Sequence, residues 1–73
     1  MKKGDLYYVD LSPTVGNEVG GTRICQIIEV YAEEGLVRVR PMTMHPKTNS
    51  FIFNEIHERT ISVKRLKEFS KTY

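Results

Sequence analysis

The stretch Thr22–Pro41, TRICQIIEVYAEEGLVRVRP, decides the fold. Thr22 to Tyr31 is rich in branched and aromatic residues and reads as a strand. Ile24, Ile28 and Val30 recur at period two and are expected on its buried face, with Gln26 interrupting them. Ala32-Glu33-Glu34-Gly35 reads as a hairpin connection in which Gly35 suits a left-handed position. Leu36 to Arg40 is the next strand, with Val37 and Val39 facing one way and Arg38 and Arg40 the other. Pro41 has no N–H for a ladder, so it marks a strand end, an edge or a bulge.

Working outward, Leu6 to Leu11 is an aromatic and branched run opened by Gly4-Asp5 and closed by Ser12-Pro13, and it reads as the first strand. A long glycine-bearing loop follows, from Ser12 to about Gly21. Beyond Pro41, Met42-Thr43-Met44 continues the chain at the irregularity. His45 to Ser50 is turn-rich. Phe51 to Ile56 reads as a fourth strand, His57 to Arg59 as a turn or bulge, and Thr60-Ile61 as a short fifth strand. Ser62 is a good N-cap, and Ile61 and Leu66 are placed as a hydrophobic staple. Val63, Leu66 and Phe69 have helical spacing, which predicts a turn or two of helix from Val63 to about Phe69. Five short antiparallel strands without a linker suggest one mainly β domain over residues 1–73. A small barrel, SH3-like or OB-like, would remove the exposed edges of such a sheet.

The chain has 73 residues, room for one core. A domain of this size buries only about 60% of its unfolded surface, so a second copy or a partner is a plausible supplement. Its 40% hydrophobic and 27% charged residues are globular values rather than those of a disordered chain. The net charge is +2, and the basic residues gather late: Lys47, Arg59, Lys64, Arg65, Lys67 and Lys71 face only Glu55, Glu58 and Glu68. That balance fits a nucleic acid or acidic partner, and equally a solvated charged face. Cys25 is the single cysteine, so no internal disulfide forms and a reducing, cytoplasmic setting is expected. Within its apolar run Cys25 reads as a small buried hydrophobe. Met1-Lys2-Lys3 is followed by Gly4 and Asp5 rather than an apolar signal region, and no apolar run reaches the roughly 18 residues of a membrane span.

Two places can carry chemistry. Gly16, Gly20 and Gly21 let a backbone approach a ligand, and Arg23 behind them offers a rigid fork of donors suited to phosphate. Glu18 can orient Arg23 or accept from a base edge, and Tyr7 and Tyr8 can stack on bases. The same residues also suit a plain connection. The second place is PMTMHPK, where Thr43 sits at an interrupted strand and His45 can move protons, as His57 can elsewhere. The two histidines lie twelve residues apart with no clustered carboxylates, so no metal site is read and no cofactor is expected.

KGDLYYVDLSPTVGNEVGGTR with the apolar strand after it resembles the N-terminus of the MazF/PemK/Kid toxins, ribosome-independent and metal-independent endoribonucleases of toxin–antitoxin pairs. The resemblance covers residues 2–28 and returns at RTISVKRLKEF, residues 59–69. It implies an SH3-like barrel, commonly a homodimer, with an antitoxin protein and single-stranded RNA as partners and no membrane. Arg23 matches the family's catalytic arginine after the double glycine, and Thr43 its catalytic threonine. Glu18 matches the loop glutamate beside the RNA site. Asn17, Gly20, Gly21, Tyr8 and His45 complete the expected substrate-binding set. The implied reaction is attack of the RNA 2′-OH on the adjacent phosphate, giving 2′,3′-cyclic phosphate and 5′-OH ends. Arg23 and Thr43 would stabilise the phosphoryl oxygens, and Glu18 or His45 would serve as base. The chain departs from the family pattern in carrying Ile24 where a proline usually follows the arginine, and Met44 and His45 where small polar residues are common. It is also shorter, without the hairpin between the third strand and SFIF and without the C-terminal helix. The alternative is therefore a catalytically inactive barrel that binds nucleic acid or protein as a regulator.

Overall fold

The structure is a computed structural model that describes residues 1–12, 21–45 and 47–72. Six strands follow in order: β1 (Asp5–Asp10), β2 (Thr22–Tyr31), β3 (Leu36–His45), β4 (Ser50–Phe53), β5 (Arg59–Ser62) and β6 (Leu66–Thr72). Single 3₁₀ turns join β2 to β3 (Ala32–Glu34), β4 to β5 (Glu55–His57) and β5 to β6 (Val63–Arg65). All pairings are antiparallel, in the path β4-β3-β2-β1-β6, with β5 also beside β3. The mainly β reading holds. The ladders among the described residues leave this path open rather than closed into a barrel. The sheet is nonetheless curled, because β5 lies beside β3, β6 lies beside β1, and one 3₁₀ turn joins them.

The hairpin is as the sequence suggests. Gly35 adopts φ 68°, and its N–H returns to Ala32 O at 3.2 Å. The face of β2 is a correction. Cys25 and Ile27 are buried, while Ile24 and Ile28 are only half-buried. Ile27 pairs with Val39 and Glu29 with Arg38, so Ile28 is the extra residue of a bulge. That slip reverses the alternation, and Val30 rejoins the core opposite Val37. Period-two reasoning from Val30 backwards therefore selects the wrong residues. The core is Val9, Leu11, Cys25, Ile27, Val37, Val39 and Ile61, flanked by Tyr7, Val30, Val63 and Leu66.

Pro41 does not end its strand. β5 covers the outer edge of β3 from Leu36 to Val39, and β4 covers it from Met42 to His45. Pro41 stands in the gap between them. Its carbonyl accepts from Asn54 N at 2.8 Å on that edge, where its missing N–H would also have pointed.

The expected helix Val63 to Phe69 is also corrected. Ser62 caps as predicted, its Oγ accepting from Lys64 N at 3.2 Å, but the helical turn ends at Arg65 and β6 begins. Val63 and Leu66 both reach the core, so their spacing is real; the 3₁₀ turn satisfies it. Phe69 instead pairs with Tyr7, its ring edge-on at 5.2 Å. The sheet edge of β1 supplies five residues of β6 with ladder partners that a short isolated helix would lack.

Candidate active site

The described residues on either side of the glycine-bearing segment, Leu11-Ser12 and Gly21, are pinned together as a stem. Leu11 N donates to Gly21 O (3.0 Å), and Gly21 N to Ser12 Oγ (3.3 Å). Ser12 N donates to Asp10 Oδ1 at 3.0 Å. Two arginines from late in the chain grip the same stem: Arg59 Nη1 donates to Leu11 O (3.1 Å) and Arg65 Nη1 to Ser12 O (2.5 Å). Gly21 holds φ 76°, a conformation that strains any side chain. Asn17, Glu18 and Gly20 lie outside the described residues.

Arg23 is the second residue of β2 and pairs with buried Val9. Paired side chains share a face, so Arg23 stands on the core face of the sheet, in line with Cys25 and Ile27. It is exposed because the core has ended there. Cys25 pairs with Pro41. Two residues further along β3, alternation brings Thr43 onto the same face. Thr43 is half-buried, and its Oγ1 accepts from Asn54 Nδ2 at 3.2 Å. His45 is two residues further again. Its Nδ1 accepts from Lys47 N (3.2 Å) and Thr48 N (3.4 Å), closing the β3–β4 hairpin. The neutral ring then carries its proton on Nε2, the nitrogen left for a ligand.

The opposite face carries an open cleft of about 380 Å³ lined by Tyr8, Thr22, Ile24, Met42 and Phe51, with Arg23 bordering it. Tyr8 pairs with Ile24, which places it there. The structure thus gathers Arg23 and Thr43 on one face and Arg23 and Tyr8 at one cleft, with Tyr8 and Thr43 on opposite sides of the sheet.

Electrostatics sort the remaining groups. Burial pushes the Cys25 thiol up to about 12, against the opposing pull of the Arg23 and Arg59 charges. Cys25 is a neutral core residue, not a nucleophile. The Arg38 and Arg40 guanidiniums hold the Glu58 carboxyl below its ordinary 4.5, their Nε atoms donating to its two oxygens at 2.8 and 2.7 Å. His57 sits half-buried in the 3₁₀ turn before Glu58. Among the described residues no three His, Cys, Asp or Glu side chains gather as a metal would require, and no helix is long and apolar enough to cross a membrane.

Sequence reasoning missed Asn54, Phe51, and the stem-holding roles of Arg59 and Arg65. Asn54 carried a signal: it is a cap residue type directly ahead of a turn, and its Oδ1 accepts from Ile56 N at 3.0 Å. The others depend on contacts between distant segments.

The comparisons with known proteins agree with this architecture. Over its whole length the chain superposes on 82% of MazF (Form-I) from Deinococcus radiodurans, with a TM-score of 0.77 at 19% identity, a likeness of fold. It is 52% identical over 29 residues to Endoribonuclease EndoA of Bacillus subtilis (strain 168), an alignment that spans 40% of this chain and 25% of that relative. The family described as PemK-like, MazF-like toxin of type II toxin-antitoxin system matches residues 2–72. The chain belongs to the PemK/MazF toxin family.

Proposed function

We propose that this chain is the toxin of a toxin–antitoxin pair and cleaves single-stranded RNA without a metal, in the cytoplasm. The observation that carries the reading is the placement of Arg23 and Thr43 on one face of the sheet, just where its core ends. A guanidinium and a hydroxyl there can meet the two non-bridging oxygens of one phosphate. The nucleophile is the RNA's own 2′-OH. The bond from 2′-O to phosphorus forms as the bond to 5′-O breaks, leaving a 2′,3′-cyclic phosphate and a 5′-OH end. The 2′ proton passes to a base, for which Glu18 is the candidate because His45 Nδ1 is already taken by Lys47 N and Thr48 N, and the 5′-oxygen takes up a proton on leaving. Arg23 stabilises the charge that builds on the phosphoryl oxygens, and Thr43 donates one hydrogen bond to it. Asn17, Gly20 and Gly21 are assigned to binding the strand, and Tyr8 and Phe51 in the cleft offer stacking surfaces for a flanking base.

The exposed apolar residues Met44, Phe51, Ile52 and Ile56 lie on and just beyond the β3–β4 ribbon. In the proposed assembly an antitoxin or a second copy covers them.

The test is incubation with mixed-sequence single-stranded RNA in EDTA, beside Arg23→Ala. Cleavage by the parent to cyclic-phosphate and 5′-OH ends, lost in a folded Arg23→Ala, is the expected result. Unchanged cleavage by the variant would sink the role of Arg23. A folded parent that binds RNA or protein without cutting would establish the inactive regulator instead.

A further inference from the structure

We infer that Asn54 is a positioning residue, one that turns the Thr43 hydroxyl into a committed donor toward the substrate phosphate. The inference rests on the endoribonuclease reading above. A threonine hydroxyl has one proton to give and two lone pairs to receive with. Asn54 Nδ2 donates to Thr43 Oγ1 at 3.2 Å. An amide nitrogen cannot accept, so this bond occupies a lone pair and directs the Thr43 proton elsewhere.

The oxygen and nitrogen of an amide are hard to tell apart by shape, so the orientation of Asn54 must follow from its partners. Chemistry decides it. Asn54 Oδ1 accepts from Ile56 N at 3.0 Å, and a backbone N–H can only donate. A flipped amide would set two donors against each other there.

The residue is also clamped. Asn54 N donates to Pro41 O at 2.8 Å, and Asn54 O accepts from His57 N at 3.2 Å. Glu58, four residues on, is tied to Arg38 and Arg40 of β3. Both ends of the segment Asn54–Glu58 are therefore fastened to the strand that carries Thr43. The amide is presented to Thr43 from a fixed backbone, which is what preorganisation of a donor requires.

A residue that merely capped the Glu55–His57 turn would do as well as aspartate, since Asp and Asn cap equally. Asn54→Asp separates the two roles. The carboxylate still accepts from Ile56 N, but it now draws the Thr43 proton to itself and away from the phosphate. The experiment follows cleavage of a mixed-sequence single-stranded RNA in EDTA by the parent, Asn54→Asp, Thr43→Val and the double variant. Losing one transition-state donor typically costs about 10²-fold or more in kcat. We expect a fall of about 10²-fold at pH 7 for Asn54→Asp, with a smaller change in KM. The ratio of variant to parent activity should rise as pH falls through the carboxyl's titration at about 4, where the protonated acid donates again. Asn54→Asp should add little in the Thr43→Val background.

Parental kcat in Asn54→Asp, an equal fall with Thr43 absent, or a pH profile like the parent's overturns the inference alone. No cleavage by the parent overturns it together with the reading beneath it. Should Asn54→Asp fail to fold, Asn54→Ser keeps a capping oxygen but is too short to reach Thr43. A smaller loss, absent in the Thr43→Val background, is then expected, since the Thr43 hydroxyl is freed rather than drawn away, and a parental kcat would overturn the assignment.

Discussion

Arg23 and Cys25 stand two residues apart on the same face of β2, yet one is exposed and the other fully buried. The pleat that turns Cys25 and Ile27 into the core, opposite Pro41 and Val39, carries Arg23 along the same face to a point past the core's end. On β3 the same contrast separates Val37 and Val39 from Thr43. The proposed site is thus a continuation of the core's own side-chain rows past the point where apolar partners run out. Residues so placed inherit rigidity from the strand without the cost of burying a charge.

The comparison can be broken at either end. At the rim, Arg23→Ala is expected to remove about 10²- to 10³-fold or more of the cleavage rate, roughly 3–4 kcal/mol of barrier. Its thermal midpoint should stay near the parent's, since exposed substitutions usually fall within about 0.5 kcal/mol. In the interior, Ile27→Ala is expected to cost about 2–5 kcal/mol by chemical denaturation, because a buried side chain leaves a cavity behind it. A loss under about 1 kcal/mol would mean that Ile27 does not anchor this core.

Glu58→Gln sharpens the picture between these ends. It keeps the shape but weakens both arginine contacts, and we expect a loss of about 1–2 kcal/mol, reduced by the partial exposure of Arg38. The sign with pH follows from the lowered carboxyl. Glu58 contributes in full above its ordinary 4.5, and that contribution is lost as pH falls through the lower folded value. Thermal midpoints of parent and variant should therefore differ at pH 7 and converge in acid. A gap that persists in acid would assign the effect to packing instead. The smallest effect is Gly35→Ala, about 1 kcal/mol, from forcing a left-handed residue to carry a Cβ. Space is no obstacle there, since nothing lies within 4 Å of the added atom.

Where local chemistry decides, the residues speak for themselves. The 22–41 hairpin, its left-handed Gly35, the inward Val37 and Val39, and the Ser62 cap all follow from short-range sterics and hydrogen bonding. Arg23 and Thr43 were legible as candidates through the stretch GNEVGGTR and the strand-end threonine. What depended on distant partners was not legible. β6 replaces a helix because β1 offers it a ladder more than fifty residues away in the chain. The Ile28 bulge inverts the expected face because the β2–β3 register must serve both ends of the hairpin. Asn54 meets Thr43, and Arg59 and Arg65 meet the loop stem, only once the sheet has curled. Local sequence was enough for β1 to β3, the Gly35 turn and the kinds of groups available for phosphate chemistry. The tertiary structure alone decided which of them face one another, because register and curvature are settled by contacts that no local window contains.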